Sequence, residues 1–67
     1  MGYEHYFIAL IDKDGQDWCI LESSDYDYIY RVFEDMSAPP DYDMELRGTD
    51  EDIDTCLSWD VLRYDRR

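Results

Sequence analysis

A short, unbroken apolar run near the start of the chain limits the possible folds more than any other feature. Residues 6–11 read Tyr-Phe-Ile-Ala-Leu-Ile, which is the length of a β-strand. Successive side chains of a strand point to opposite faces, so both faces of this strand carry apolar residues. The two sets are Phe7, Ala9 and Ile11, and Tyr6, Ile8 and Leu10. A single helix can cover only one of those faces.

A turn sequence follows this run and predicts a β-hairpin. Asp12-Lys13-Asp14-Gly15 contains the residue types that turns prefer. Gly15 can adopt the left-handed conformation that closes a type I turn with a bulge. Residues 18–21 read Trp-Cys-Ile-Leu and are predicted to form the returning strand.

Helix signals begin directly after the hairpin. Ser24 is predicted to cap the helix, with Asp25 and Asp27 at the positive end of its dipole. Pro39 biases Ala38 away from helical angles and is expected to end the helix. Residues at spacings of three and four predict one apolar helix face: Tyr26, Ile29, Tyr30, Phe33 and Met36.

Two further strands are predicted in the second half of the chain. Residues 42–47 alternate, with Met44 and Leu46 on one side, which indicates a half-buried or edge strand. Residues 48–54 read as an acidic turn, after which a short helical piece and a strand are both compatible with the pattern. We favour a strand over residues 58–64, with Trp59 and Val61 inward and a turn or short helical piece before it. A frayed tail is expected at residues 66–67.

The predicted order ββαββ indicates an α+β fold. Its economical form is an antiparallel sheet of three to four strands with one helix packed on one face. A chain of 67 residues, numbered 1–67, is expected to form one domain. The second apolar face of the sheet is then curled over, covered by the C-terminal segment, or used as an interface, so a homodimer stays open.

The charge balance excludes several classes of partner. Eighteen Asp and Glu against six Lys and Arg give a formal net charge of −12, beyond the magnitude of about 8 that suffices for solubility. Phosphates would repel this chain, so neither nucleic acid nor an anionic membrane is an expected partner. No stretch approaches the roughly 20 apolar residues of a membrane span, and no signal peptide is recognisable. A cytoplasmic protein is expected, and halophilic adaptation is the alternative explanation of the charge.

Patterns that carry catalysis or bind metals are missing from the sequence, so we expect neither enzymatic activity nor a cofactor. His5 stands alone beside an apolar run, and Cys19 lies within an apolar strand. An EF-hand loop begun at Asp12 or Asp50 lacks glycine at its sixth position. Zinc requires about four ligands, more than His5 and the cysteines offer. Cys19 and Cys56 are expected to be reduced, buried small hydrophobes.

The acidic residues are the remaining candidates for function. Asp41, Asp43 and Glu45 alternate, so a strand would place all three on one face, about 6.5–7 Å apart. This spacing is comparable to that of successive phosphates along a nucleic-acid strand, although a solvated acidic face is the plainer interpretation. Tyrosines among the acids could anchor a partner. The predicted partner-binding residues are Asp25, Asp27, Tyr28, Asp41, Tyr42, Asp43, Glu45, Asp50, Glu51, Asp52 and Asp54.

Tyrosine alternates with aspartate in Ser24-Asp25-Tyr26-Asp27-Tyr28 and in Asp41-Tyr42-Asp43. In size, charge and this patterning, the chain resembles the small DNA-mimic proteins of phages and mobile elements, such as anti-CRISPR proteins and restriction inhibitors. The resemblance covers general character and no diagnostic motif. It implies an inhibitor that blocks a basic nucleic-acid-binding surface, for instance on a Cas protein, in the host cell cytoplasm. An immunity or antitoxin protein against a basic toxin and a non-catalytic dimeric accessory subunit are the alternatives.

Overall fold

The computed structural model describes residues 2–65, which form four strands and one helix in the order ββαββ. The strands are β1 (His5–Ile11), β2 (Asp17–Ser23), β3 (Asp43–Thr49) and β4 (Asp60–Asp65). They form one antiparallel sheet in the order β2-β1-β3-β4, and helix α1 (Tyr26–Asp35) packs on one of its faces. The predicted α+β class is confirmed. The expected tail at residues 66–67 lies outside the described residues.

The predicted hairpin turn is present between β1 and β2. Gly15 has φ +89°, the left-handed conformation expected of it, and its amide donates to the Asp12 carbonyl at 3.0 Å. The Asp12 carboxylate accepts from the amides of Asp14 and Gln16, each at 2.9 Å. The turn therefore uses one acidic side chain to satisfy its own backbone.

Helix α1 begins one residue later than the sequence suggested. Asp25, not Ser24, is the N-cap, and its carboxylate accepts from the Tyr28 amide at 3.2 Å. Asp and Ser cap helices about equally well, so composition could not decide between neighbouring positions. The predicted apolar face is confirmed: Ile29 and Phe33 are buried, and Tyr26, Tyr30 and Met36 pack at the edge of the core.

The main core lies between α1 and the sheet. Its fully buried side chains are Ile8, Ile29, Met44 and Leu46. Burying an apolar side chain of this size contributes about 1.5–3 kcal/mol. Phe33 from the helix and Ala38 from the following loop close the cluster.

Strand β3 lies inside the sheet, paired with both β1 and β4, so of the two expected alternatives, a half-buried or an edge strand, the edge strand is wrong. Met44 and Leu46 are buried on the helix side as expected. On the other face, Arg47 and Thr49 are buried as well, at 6% and 2% exposure. A polar residue that is buried on the second face looks like a solvent-facing residue in the sequence pattern, which is why the pattern misled.

Both edge strands carry a β-bulge. The register of β2 moves from Ile8–Leu21 to Ala9–Cys19, so Ile20 is the extra residue. The register of β4 moves from Leu46–Arg63 to Arg47–Val61, so Leu62 is the extra residue there.

The final strand begins later than predicted, at Asp60, and a turn at residues 53–55 precedes it. Leu62 is the β4 side chain that packs against the main core. Trp59 and Val61 do not point toward the helix, which corrects the prediction. Val61 pairs with Arg47, and Trp59 contacts Arg47, so both lie on the second face.

That second face is covered by a long arginine side chain and an indole ring. Phe7 and Ala9 are almost fully buried there. Arg47 donates from Nη1 to Asp17 at 2.8 Å and from Nε to Glu45 at 2.7 Å. The Trp59 ring lies 4.4 Å from the guanidinium carbon of Arg47 and meets Phe7 edge-on at 6.2 Å. The expected cover by the C-terminal segment is present, supplied by Trp59, and Arg47 completes it.

Candidate binding surface

The predicted partner-binding residues lie at two opposite ends of the sheet. Asp25, Asp27 and Tyr28 follow β2 and share one end with residues 50–54, since β1 begins and β3 ends there. Asp41, Tyr42 and Asp43 lie at the other end, beside the hairpin turn. We term these the loop end and the turn end. Seven-residue strands separate them by roughly 20 Å.

The predicted row of three carboxylates on one strand face is wrong for Asp41. This residue precedes β3 in a turn and has φ 70°, a left-handed conformation that Asp tolerates better than most residues. Asp43 and Glu45 do share the second face, but both have partners. Asp43 accepts from the Tyr64 hydroxyl at 3.1 Å, and Glu45 is ion-paired with Arg47. Only Asp43 and Glu45 therefore keep the phosphate-like spacing, and Arg47 neutralises the charge of Glu45.

Most of the carboxylates of this chain have structural partners. Asp25 caps the helix, Asp65 accepts from the Ala38 amide at 3.1 Å, and Glu34 pairs with Arg63 at 2.8 Å. Within residues 2–65, seven carboxylates accept no hydrogen bond and form no ion pair. They are Glu4, Asp14, Glu22, Asp27, Asp35, Asp41 and Asp54. These side chains are the ones most available to a partner.

A cleft of about 300 Å³ opens at the loop end between the N-terminal segment and the loop that joins β3 to β4. Two aromatic residues, Tyr3 and Trp59, and three carboxylates, from Asp50, Glu51 and Asp60, contribute to its walls. Within residues 2–65, no lysine or arginine lines it. We term it the acidic cleft.

Hydrogen bonds within the loop hold one wall of the acidic cleft in place. The Glu51 carboxylate accepts from the Leu57 amide at 2.8 Å and from the Ser58 hydroxyl at 2.9 Å. The Thr49 hydroxyl donates to the Ser58 carbonyl at 2.9 Å and accepts from the Glu51 amide at 3.1 Å. The bonds to Leu57 and Ser58 lower the pKa of Glu51, so this carboxylate is charged and fixed at neutral pH. The expected alternative of a short helical piece after the acidic turn is not realised, because residues 50–59 contain turns, bends and irregular backbone but no helix.

Tyr3 forms the opposite wall, and the carboxylates of the cleft change the pKa of its hydroxyl. Its hydroxyl donates to Asp60, and its ring lies against Gly48, where a Cβ would come within 2.8 Å of it. The hydrogen bond to Asp60, burial, and the charges of Asp60 and Asp50 all raise the pKa of Tyr3. Glycine at position 48 is thus required for the ring to reach this position.

Sequence reasoning missed the aromatic residues of the acidic cleft, Tyr3 and Trp59, and one of its carboxylates, Asp60. Asp50 and Glu51 were predicted, and both line it. The missed residues come from the N-terminal segment and the start of β4, and only the pairing of β3 with its two neighbours brings them together. No local sequence signal carries that information.

A second, smaller concavity of about 290 Å³ lies at the turn end. Asp12, Asp14 and Asp41 line it, but so does Lys13, which offsets part of their charge. Tyr42 also lines it and meets Trp18 edge-on at 5.8 Å. The turn end is therefore the less negative of the two concave surfaces.

The cysteines are free, and the expectation that both are buried is wrong. Cys19 is exposed on edge strand β2, and Cys56 is partly buried. Partial desolvation, together with the charges of Glu22 and Asp54, raises the pKa of the Cys19 thiol. A thiol with a raised pKa is protonated at neutral pH and is a poor nucleophile.

The acidic cleft has the chemistry to receive a guanidinium or ammonium group, since it combines carboxylates with aromatic rings. Within residues 2–65, no group of three or more His, Cys, Asp or Glu side chains is arranged to hold a metal ion. No helix in that range is long and apolar enough to cross a membrane. No family model, curated protein or solved structure matches this chain.

Proposed function

We propose that the protein is an acidic inhibitor that occupies the nucleic-acid-binding surface of a basic protein in the cytoplasm. Its carboxylates take the place of phosphates, and a DNA-recognition surface such as that of a Cas protein is the type of target that fits. The observation that carries this proposal is the formal charge of −12 on 67 residues. Self-repulsion at that charge destabilises the free protein, and a basic partner would relieve it.

Long-range attraction is the first contribution to binding. The carboxylates that lack internal partners stand on both ends of the sheet and on the helix, so the negative field extends around the molecule. Such a field accelerates encounter with a basic surface and weakens as salt screens it.

The acidic cleft supplies the second contribution, a defined place for one basic side chain. Proteins contact the phosphates of DNA largely through arginine and lysine. One such side chain would meet Asp50 and Asp60 in the acidic cleft, between the rings of Tyr3 and Trp59. An arginine can stack on an aromatic ring while its nitrogens donate to carboxylates.

One partner is expected to contact the loop end rather than both ends. A standard interface covers about 800 Å² on each partner, and the accessible surface of this chain is 4544 Å². The footprint would therefore include Asp27, Asp50, Glu51, Asp52 and Asp54. The turn-end residues Asp41, Tyr42 and Asp43 would contribute only through the long-range field.

The test uses two variants with the same net charge. D27N/D50N/D54N removes three charges at the loop end, and D14N/D35N/D41N removes three at the turn end. The immobilised wild type captures binding proteins from the native host lysate at about 0.05 M and 0.5 M NaCl. Purified captured proteins are then assayed for DNA binding by mobility shift. We expect salt-sensitive capture, inhibition of DNA binding, and association about tenfold slower for the loop-end variant than for the turn-end variant.

Each outcome decides a specific point. Capture that is insensitive to salt, or captured proteins whose DNA binding is unaffected, would show that the proposed function is wrong. Equal slowing by both variants would exclude the loop end as the preferred contact surface and leave only bulk charge. A captured nuclease toxin that is neutralised without any DNA competition would favour the antitoxin alternative.

A further inference from the structure

Four large apolar side chains are exposed within eight residues, two in the segment that leads into β4 and two on the strand itself. Leu57, Trp59, Val61 and Tyr64 are 90%, 37%, 50% and 46% exposed. We term this strip the apolar ridge. Trp59 belongs both to the apolar ridge and to the wall of the acidic cleft, so the two surfaces are continuous.

The register of β4 places the strand residues of the apolar ridge on the second face. Val61 lies opposite Arg47, and Tyr64 lies opposite Glu45. Cross-strand partners share a face, and the Arg47–Glu45 ion pair marks that face as the one away from the helix. The extra residue Leu62 shifts the alternation, so that Tyr64 returns to the side of Val61. The bulge thus exposes two apolar side chains on one face while it directs Leu62 to the core.

We propose that the apolar ridge is the surface that holds the basic partner after encounter, and that this partner presents apolar side chains between its lysines and arginines. This inference rests on the proposed function and adds the chemistry of the partner's contact surface. Two copies of this chain would bring a formal charge of −12 against another −12. Like charges at that density repel, so the apolar ridge does not favour a second copy.

Charge complementarity identifies the partner as basic. Glu45 lies opposite Tyr64 on this face, and Asp43 accepts a hydrogen bond from the Tyr64 hydroxyl. The carboxylates of the acidic cleft adjoin the ridge at Trp59. Apolar residues bordered by acids reproduce the usual composition of an interface, an apolar centre with a polar rim. Trp and Tyr, which dominate binding energy at interfaces, are both present in the ridge.

The two surfaces then act on different rate constants. Exposed charges change the association rate and its dependence on salt. Desolvated apolar contacts change mainly the dissociation rate. A partner held by the apolar ridge should therefore dissociate faster when the ridge is made polar, while its association rate and salt dependence stay the same.

The experiment uses two peptides of equal length and equal charge as probes. One alternates arginine with leucine, and the other alternates arginine with serine. Dissociation constants and rates for wild type, L57S/V61S and I20S are measured by surface plasmon resonance. I20S is the matched control, since Ile20 is an exposed aliphatic residue on the opposite edge strand. Circular dichroism confirms that each variant is folded, which is expected because the replaced side chains are exposed.

For the wild type and I20S, we expect the arginine–leucine peptide to bind about tenfold more tightly than the arginine–serine peptide, the difference lying in the dissociation rate. L57S/V61S should bind both peptides equally. If the wild type already binds both equally, the apolar ridge is not a docking surface, while salt-sensitive binding of both would leave the proposed function intact. If neither peptide binds, the proposed function fails as well. A wild-type dimer in sedimentation that L57S/V61S converts to a monomer would overturn the inference in favour of a second copy.

Discussion

The two faces of the sheet are both buried over β1 and β3, but by different means. On the helix side, Ile8, Met44 and Leu46 pack under an apolar helix face. On the second side, Phe7 lies under the side chain of Arg47 and the ring of Trp59. Apolar packing depends on area and is not directional, whereas an ion-paired arginine depends on its partners being in place.

This difference shows how a chain with one helix can cover a strand that is apolar on both sides. Arginine has a long aliphatic stem that shields apolar surface while its head stays polar. Asp17 on β2 and Glu45 on β3 fix the head of Arg47 from two sides. The helix side holds the largest fully buried side chains. The second side leaves the edge of β4 exposed for contact with other molecules.

The largest expected effect is on the helix side. Leu46→Ala should lower the free energy of unfolding by about 2–5 kcal/mol, because it leaves a cavity at a fully buried position. Urea denaturation followed by tryptophan fluorescence measures this loss. A loss below about 1 kcal/mol would show that the helix side is loosely packed and that the contrast between the faces is overstated.

A smaller effect is expected from Arg47→Ala on the second side, about 1–3 kcal/mol. Asp17 is partly exposed, and solvent screens the charge that the substitution leaves unpaired. Arg47→Met keeps an apolar stem of similar length and should lower the free energy of unfolding by clearly less than Arg47→Ala. The same urea titrations compare the two variants. Equal losses would mean that Arg47 acts through its charge alone and not as a cover for Phe7.

The stabilisation that the Glu51 carboxylate gives to the loop before Trp59 should be lost in acid. Because the folded pKa of Glu51 is lowered, its contribution is present above the ordinary carboxyl pKa and is lost as pH falls through the folded value. Glu51→Gln removes this titration. The difference in free energy of unfolding between wild type and variant should therefore become smaller from pH 7 toward pH 3. Thermal unfolding across that range measures the gap. A gap that does not change with pH would exclude Glu51 as the titrating group.

The smallest expected effect lies at the margin of the helix side, where Tyr3 packs against Gly48. The folded pKa of Tyr3 is raised, chiefly by its hydrogen bond to Asp60. The stabilisation is therefore fully present below the ordinary tyrosine pKa and is lost as pH rises through the folded value. Tyr3→Phe should be slightly less stable than wild type at pH 8 and similar to it at strongly alkaline pH. A constant difference across that range would show that the ring, and not the hydroxyl, is responsible.

Local signals in the sequence were sufficient for the hairpin, the apolar helix face and the α+β class. Turn chemistry at Gly15 and the spacing of Ile29 and Phe33 depend only on neighbours in the chain. The central position of β3 was missed because its second-face residue Arg47 is polar and yet buried. The inward assignment of Trp59 and Val61 failed because one extra residue in β4 changes which side chains face the core, and alternation alone does not reveal a bulge.

The acidic character of the candidate site could be predicted from the sequence, but the position of the cleft in the fold could not. The acids of the loop end were identified from their density, and Asp50 and Glu51 do line a concave surface. Tyr3 and Asp60 were not identified, because strand pairing joins positions that are far apart in the chain. Asp41 was placed in a strand, although it lies in the turn before it. Hydrogen-bond partners, which separate structural acids from available ones, cannot be read from residue type.

The bulges at Ile20 and Leu62 interrupt both outer strands of the sheet. An open edge with regular hydrogen-bonding groups can template the addition of further strands and so seed fibrils. An irregular, twisted edge that also carries aspartates at its ends resists that growth. We therefore expect that this protein does not polymerise at high concentration, although tryptophan, valine and tyrosine are exposed on one edge. Filaments formed after deletion of Leu62 would reveal the protection that the bulge provides.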